Sequence, residues 1–166
     1  MDSSAILAEI PRLRRYARAM LGDRAAADDL VQDTLERAWV RLHQWRTGSD
    51  MRAWLFGIMH NLRIDQLRRP GLPTQSIDAD DFQVPTRATQ NDELELREIE
   101  SALSQLPDEQ REVLLLVALE EMSYADIAAT LGIPAGTVMS RLSRGRERLR
   151  LIMNGEQASA RLRIVR

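Results

Sequence analysis

Arg141, Arg144, Arg146, Arg148 and Arg150 crowd the end of one stretch, SYADIAATLGIPAGTVMSRLSRGRERLR, residues 123–150. Guanidinium groups at that density suit nucleic-acid binding, because Arg bridges guanine edges or pairs with phosphate, and Ser or Thr beside it reaches bases or backbone. The residues around them supply the support such a face needs. Ser123 and Asp126 form an S-x-x-D capping box that starts a helix. Ile127, Ala128 and Leu131 give that helix a short apolar face, with Ala128 small where a second helix must cross. Gly132 follows where a left-handed turn residue is wanted, and Pro134 opens the next helix. Val138, Leu142 and Leu149 hold the second helix down, leaving Thr137, Ser140, Arg141, Arg144 and Arg148 on its other face. This predicts a helix-turn-helix. An ordinary helical hairpin with a solvated basic face has the same periodicity; the capping box, Ala128, Gly132 and the arginines weigh toward DNA.

A second polar stripe is acidic. Asp29, Gln32, Asp33 and Glu36 stand at i, i+3, i+4 and i+7, opposite the apolar Val31, Leu35, Ala38 and Leu42. The plain reading is a solvated face; the other is a docking surface for a basic partner. Groups for bond-making chemistry are scarce. There is no Cys, and the two histidines are His43 and His60, so neither a metal site, a cofactor nor an enzyme is expected. No apolar run approaches the roughly 20 residues of a membrane span. The N-terminus, MDSSAILAEIPRLRR, lacks the order of a signal peptide, and a soluble, cytoplasmic protein is expected.

All 23 basic residues are Arg, and the net charge is −2. Residues 1–70 hold twelve Arg and nine acids, residues 71–110 two Arg and ten acids, and residues 111–166 nine Arg and six acids. Two mildly basic ends flank an acidic middle. A net-negative chain binds DNA poorly by itself, so a DNA function calls for a partner.

The elements that must carry these faces are helical. Few glycines and aromatics, and apolar residues at helical spacing, predict an all-α fold. Helices are expected over 4–20, where Pro11 implies a kink or a late start, and over 25–42 and 51–69, the last capped by Ser49 or Asp50. Residues 43–50 read as a loop. The aperiodic 70–91, with Pro70, Gly71, Pro73 and Pro85, reads as a flexible linker between two small helical domains. Further helices are expected over 92–105, from Pro107 at a first helical position to near Glu121, and through the helix-turn-helix.

At this point a family resemblance emerges. LPDEQREVLLLVALEEMSYADIAATLGIPAGTVMSRLSRGRERLR closely resembles the C-terminal domain of extracytoplasmic-function (ECF) sigma factors of bacterial RNA polymerase. AAADDLVQDTLERAW resembles the family's polymerase-binding helix and MRAWLFGIMHNLRIDQLRR its promoter-melting helix, in the same order and spacing. The resemblance implies a non-catalytic, alternative sigma factor without cofactor or metal. Its partners would be core RNA polymerase, promoter DNA and an anti-sigma factor. Residues 1–69 would be the region 2 domain, which docks on the polymerase clamp helices and opens the minus-ten element. Residues 70–91 would be the linker, and residues 92–153 the region 4 domain, which reads the minus-thirty-five element. Residues 154–166 would be a tail without assigned role.

Carried onto this chain, the resemblance makes Asp29, Gln32, Asp33 and Glu36 the polymerase contact. It maps minus-ten reading onto Asn61 and the preceding loop, where Trp45 and Arg46 suit stacking and phosphate. Trp54 is either a melting residue or core. Arg63, Arg68 and Arg69 are phosphate candidates, and Asp65 pairs with Arg68 or Arg69. His60 departs from the family's commoner basic residue. Base reading at minus thirty-five maps onto Met139, Ser140, Ser143 and Arg144, with Thr137, Arg141 and Arg146 as phosphate or support positions. Met139 stands where relatives often carry Lys or Arg; it can touch a thymine methyl but cannot bridge guanine. Two other readings compete: a sigma-like decoy for an anti-sigma factor, which usually carries a receiver domain that 166 residues leave no room for, and a ligand-responsive repressor, which leaves residues 25–69 unexplained.

Overall fold

A computed structural model describes residues 3–69 and 90–164. The described residues are helical, with no strand among them. In chain order the helices are α1 (Ser3–Leu21), α2 (Arg24–Val40), a 3-10 turn (Leu42–Gln44), α3 (Met51–Arg68), α4 (Gln90–Ser104), α5 (Asp108–Ala118), α6 (Tyr124–Leu131) and α7 (Ala135–Ile164). The expected linker, residues 70–91, lies outside the described residues except for its last two, which already belong to α4.

α1–α3 form one unit. Leu13, Ala17 and Met20 of α1, Leu30, Val31 and Ala38 of α2, and Leu55, Ile58 and Met59 of α3 meet in its core. Tyr16 stacks edge-on against Phe56, ring centres 4.9 Å apart. Gly22, in the left-handed region at φ 71, ends α1, and Asp23 caps α2 by accepting from the Ala25 N–H. Pro11 neither delays nor breaks α1. The helix runs through it, and the carbonyl that Pro11 cannot satisfy belongs to Leu7, which is 62% exposed and free to be hydrated. Leu7 is therefore not core, although its neighbour Ile6 is buried. Asp50, not Ser49, caps α3, accepting from the N–H groups of Arg52 and Ala53.

α4–α7 form the second unit, around Leu103, Leu106, Val113, Leu116, Ile127, Val138 and Leu142. Pro107 and Pro134, expected at the first helical position, each stand one place before it, the helices beginning at Asp108 and Ala135. Each offers its carbonyl to the first turn, where its missing N–H costs nothing. α5 stops at Ala118 rather than near Glu121, because the chain turns through Glu121 at φ 51. That is the left-handed region, which costs a non-glycine residue roughly 1–2 kcal/mol. α7 continues to Ile164, so most of the tail expected to lack a role prolongs the second helix of the helix-turn-helix.

The two units pack on each other and share one hydrophobic cluster, α1 lying on α4 and α5, and α3 on α6. Two devices bring them together. Gly57 of α3 lets α6 approach: a Cβ there would sit 3.5 Å from the Thr130 carbonyl oxygen, with no room beyond it for a longer side chain. Arg111 of α5 donates to the carbonyls of Leu103 (2.7 Å), Ser104 (3.0 Å) and Leu106 (2.8 Å) at the end of α4, and to that of Met20 at the end of α1. One guanidinium thus serves carbonyls at the C-terminal ends of two helices, one from each unit.

Two outcomes are expected in thermal unfolding. Gly57→Ala raises the midpoint slightly, since Ala gains roughly 0.5–1 kcal/mol over Gly in a helix interior, whereas Gly57→Leu lowers it by forcing the units apart. Arg111→Met costs roughly 2–3 kcal/mol by leaving helix-end carbonyls without a donor.

Candidate nucleic-acid interface

The helix-turn-helix is built as its residues require. The Ser123 hydroxyl accepts from the Asp126 N–H at 3.1 Å, opening α6. Gly132, at φ 67, closes it in the left-handed conformation that an L side chain resists. Val138 and Leu142 seat α7 on the core. That seating turns Met139, Ser140, Ser143, Arg144 and Arg146 outward, all exposed, Met139 to 51%. Thr137 is half-buried and its carbonyl accepts from the Ser140 hydroxyl at 3.1 Å. Arg141 is also half-buried, its guanidinium 3.7 Å from Glu109 of α5, in the position of a support rather than a free cation. Arg150 is engaged by Glu147 at 2.6 Å, and the guanidinium holds that carboxyl below its ordinary range.

On α2 the acidic stripe is exposed along its length: Asp29, Gln32, Asp33 and Glu36 all face solvent, with Gln32 donating to Glu36 at 3.3 Å. Two residues that the sequence did not single out continue it. Val40 lies one turn beyond Glu36, and Trp39 beside it is 61% exposed. Spacing alone does not separate Trp39 from the apolar side, since it stands four residues after Leu35 and next to Ala38.

α3 presents two opposite sides, one exposed and one covered. Residues 54, 61, 65 and 68 fall on one side, and residues 52, 56, 60 and 63 on the other. On the first, Asn61, Asp65 and Arg68 are exposed, Arg69 follows them into solvent, and Trp54 is half-buried against the core. In the preceding loop Arg46 is exposed, while the Trp45 ring is half-buried against the same core and its indole N–H has no partner.

The second side of α3 faces the other unit, and here basic groups of α1–α3 meet acids of α5 and the turn after it. Arg63 pairs with Asp108 at 3.1 Å, so this phosphate candidate is already engaged by a carboxylate. His60 is hydrogen-bonded through Nδ1 to the buried Glu112. Glu120, with a fully buried side chain, draws Arg15 at 3.5 Å, Arg12 at 3.8 Å and Arg52 at 4.0 Å. Arg52 also donates to the Glu120 carbonyl at 2.9 Å and Arg15 to that of Leu119 at 3.0 Å. Burial, then the Glu112, Asp108 and Glu120 carboxylates, push the phenol of Tyr16 well above its ordinary pKa. Nothing in the spacing of these residues marks them, because their partners lie about fifty to a hundred positions away.

Comparison with known proteins agrees with both units. Residues 6–60 match the family model described as the Sigma2 domain of PhyR, and residues 96–149 match Sigma-70, region 4. The chain is 39% identical over 151 residues to the ECF RNA polymerase sigma factor EcfG of Rhodopseudomonas palustris, covering 89% of this chain and 82% of that one. It is 33% identical over 145 residues to the ECF sigma factor SigW of Bacillus subtilis, covering 79% and 77%. Among solved structures, the sigma factor RpoE of Bartonella quintana, crystallised with the anti-sigma factor NepR, is similar at TM-score 0.73 and 36% identity, over 90% of this chain and 94% of that one. CnrH in complex with the cytosolic domain of CnrY is similar at TM-score 0.66 and 29% identity, over 90% and 85%. A two-unit helical fold, two family matches in sequence order and relatives aligned over 77–94% of their own length lead to one conclusion: the chain belongs to the ECF family of RNA polymerase sigma factors.

Proposed function

We propose a division of labour for this alternative sigma factor, which directs RNA polymerase to promoters. Residues 1–69 hold polymerase and open the minus-ten element. Residues 70–91 link the two domains, and residues 92–153 read the minus-thirty-five element. The observation that carries this reading is the outward face of α7, where Met139, Ser140, Ser143, Arg144 and Arg146 stand exposed on a helix seated by Val138 and Leu142. Thr137 and Arg141 brace that face. The α2 stripe of Asp29, Gln32, Asp33 and Glu36 offers carboxylates to basic groups of the polymerase clamp. Asn61, Arg68 and Arg69, with Arg46, Trp45 and Trp54, serve the melted strand, and Arg63 joins them once released from Asp108. The factor contributes positioning and strand capture, and the polymerase performs the chemistry.

The protein works in the cytoplasm, where polymerase and promoters are. No helix among the described residues is long and apolar enough to cross a membrane. An anti-sigma factor restrains it, as NepR and CnrY accompany its structural relatives. A decoy role has one observation behind it, the match of residues 6–60 to the Sigma2 domain of PhyR. The EcfG relative, aligned through both units, favours the initiation factor.

Run-off transcription with core polymerase and a broad promoter pool separates the two: defined start sites are expected, and a complete absence of them would leave the decoy. In the same assay Asp33→Arg abolishes holoenzyme assembly while leaving the unfolding midpoint unchanged; undiminished core binding would remove α2 from the docking surface. Selection of promoters from a random library by wild type and Met139→Arg is expected to return different minus-thirty-five sequences, the variant gaining a guanine at one position. Identical preferences would show that residue 139 reads no base.

A further inference from the structure

We propose that Arg12, Arg15 and Arg52 form a phosphodiester-binding cluster of the first unit, and that Glu120 of the second unit occupies it as a stand-in for phosphate when the two units are packed together. This rests on the sigma-factor reading above and extends its DNA path to residues that no motif marks.

Four observations converge. Three guanidinium groups from α1 and α3 surround one carboxylate, three positive charges against one negative. Their fit to it is slack. The nitrogen–oxygen distances are 3.5–4.0 Å, Arg15 gives Glu120 Oε1 one long hydrogen bond at 3.5 Å, and the fully buried Oε2 accepts none among the described residues. A carboxylate tailored to this cluster would accept at 2.7–2.9 Å, as charge-assisted pairs do. A phosphodiester is larger, presents two non-bridging oxygens and recurs along a strand, so it can use several guanidiniums at once. Arg12 and Arg15 keep half or more of their side chains exposed even with Glu120 in place, so a strand could reach them from solvent. The turn that delivers Glu120 is strained, its next residue, Glu121, standing at φ 51.

The same exchange repeats nearby: Arg63, a phosphate candidate on independent grounds, is held by Asp108. Carboxylates of α5 and its following turn therefore lie over the basic side of the first unit where phosphates would lie. Arg52 sits in the first turn of α3, next to the loop that carries Trp45 and Arg46, so the cluster lengthens the path proposed for the melted strand. Packing of the units and binding of the strand then exclude each other at these arginines.

Two measurements on the full chain test this. In the first, the chain without polymerase is titrated into a fluorescent DNA of arbitrary sequence. Glu120→Gln keeps the side chain's shape and removes its charge, and it is expected to bind roughly tenfold tighter than wild type, with a steeper dependence on salt. Adding Arg12→Gln, Arg15→Gln and Arg52→Gln to it returns the affinity to the wild-type level. In the second, reconstituted holoenzyme carrying only Arg12→Gln and Arg15→Gln, both substitutions of part-exposed side chains, is titrated with promoter DNA. The slope of log affinity against log salt is expected to fall by roughly 0.7–0.9 for each lost phosphate contact. A slope and affinity equal to wild type would overturn the proposal, leaving the arginines as fastenings between the units. Failure of wild-type holoenzyme to select any start site would instead defeat the sigma-factor reading, so the two failures are distinguishable.

Discussion

The joint between the two helical units is held by a shared hydrophobic cluster and aligned by buried and half-buried charges, and those charges govern which faces of the protein stay in solvent. Burying an ion pair costs each partner its hydration, and the attraction regained offsets little more than that loss. A carboxylate held at 3.5–4.0 Å by three guanidiniums, as Glu120 is, recovers less than a close bidentate pair would. An all-apolar seam of the same area would hold the units permanently. The seam instead sets Arg12, Arg15, Arg52, His60 and Arg63 against Asp108, Glu112 and Glu120, pairs whose net contribution to holding the units together is small. The hydrophobic cluster shared by the units supplies cohesion, and the ion pairs set which faces meet.

Arg111 shows how tightly this joint is tied to each unit's own fold. Its guanidinium closes the end of α4 and simultaneously reaches the last turn of α1. Burial lowers its pKa, and Asp108 beside it opposes that shift. The side chain that terminates one helix thereby registers the whole second unit on the first. Gly57 does the complementary work by leaving space, bringing the backbone of α6 against α3.

The packing leaves the proposed working faces unequally available. The outward side of α7 and the acidic stripe of α2 stay in solvent, as do Asn61, Arg68 and Arg69 on the far side of α3. The near side of α3 is covered. A free chain of this form keeps the α2 carboxylates exposed while part of its positive charge is neutralised internally, which suppresses non-specific attraction to DNA. Its overall charge of −2 acts in the same direction.

What the sequence determined alone were features set by neighbours in the chain. The Ser123 cap, the Gly132 turn, the outward Ser140, Arg144 and Arg148 and the α2 stripe all follow from spacings of a few residues, because helical periodicity and capping are local physics, whereas Thr137 and Arg141, expected on the same outward face, are half-buried. Where local reading strayed, in placing Pro107 and Pro134 inside their helices and in carrying α5 on to Glu121, it strayed by a turn or less, since several neighbouring residues satisfy the same rule. The joint could not be read that way. Glu120 looked like one more charge at a helix end, and Arg12, Arg15, Arg52 and Arg111 like ordinary solvated arginines. Only the folded chain brings them together, from positions up to 105 residues apart, and burial rather than residue type gives each its role.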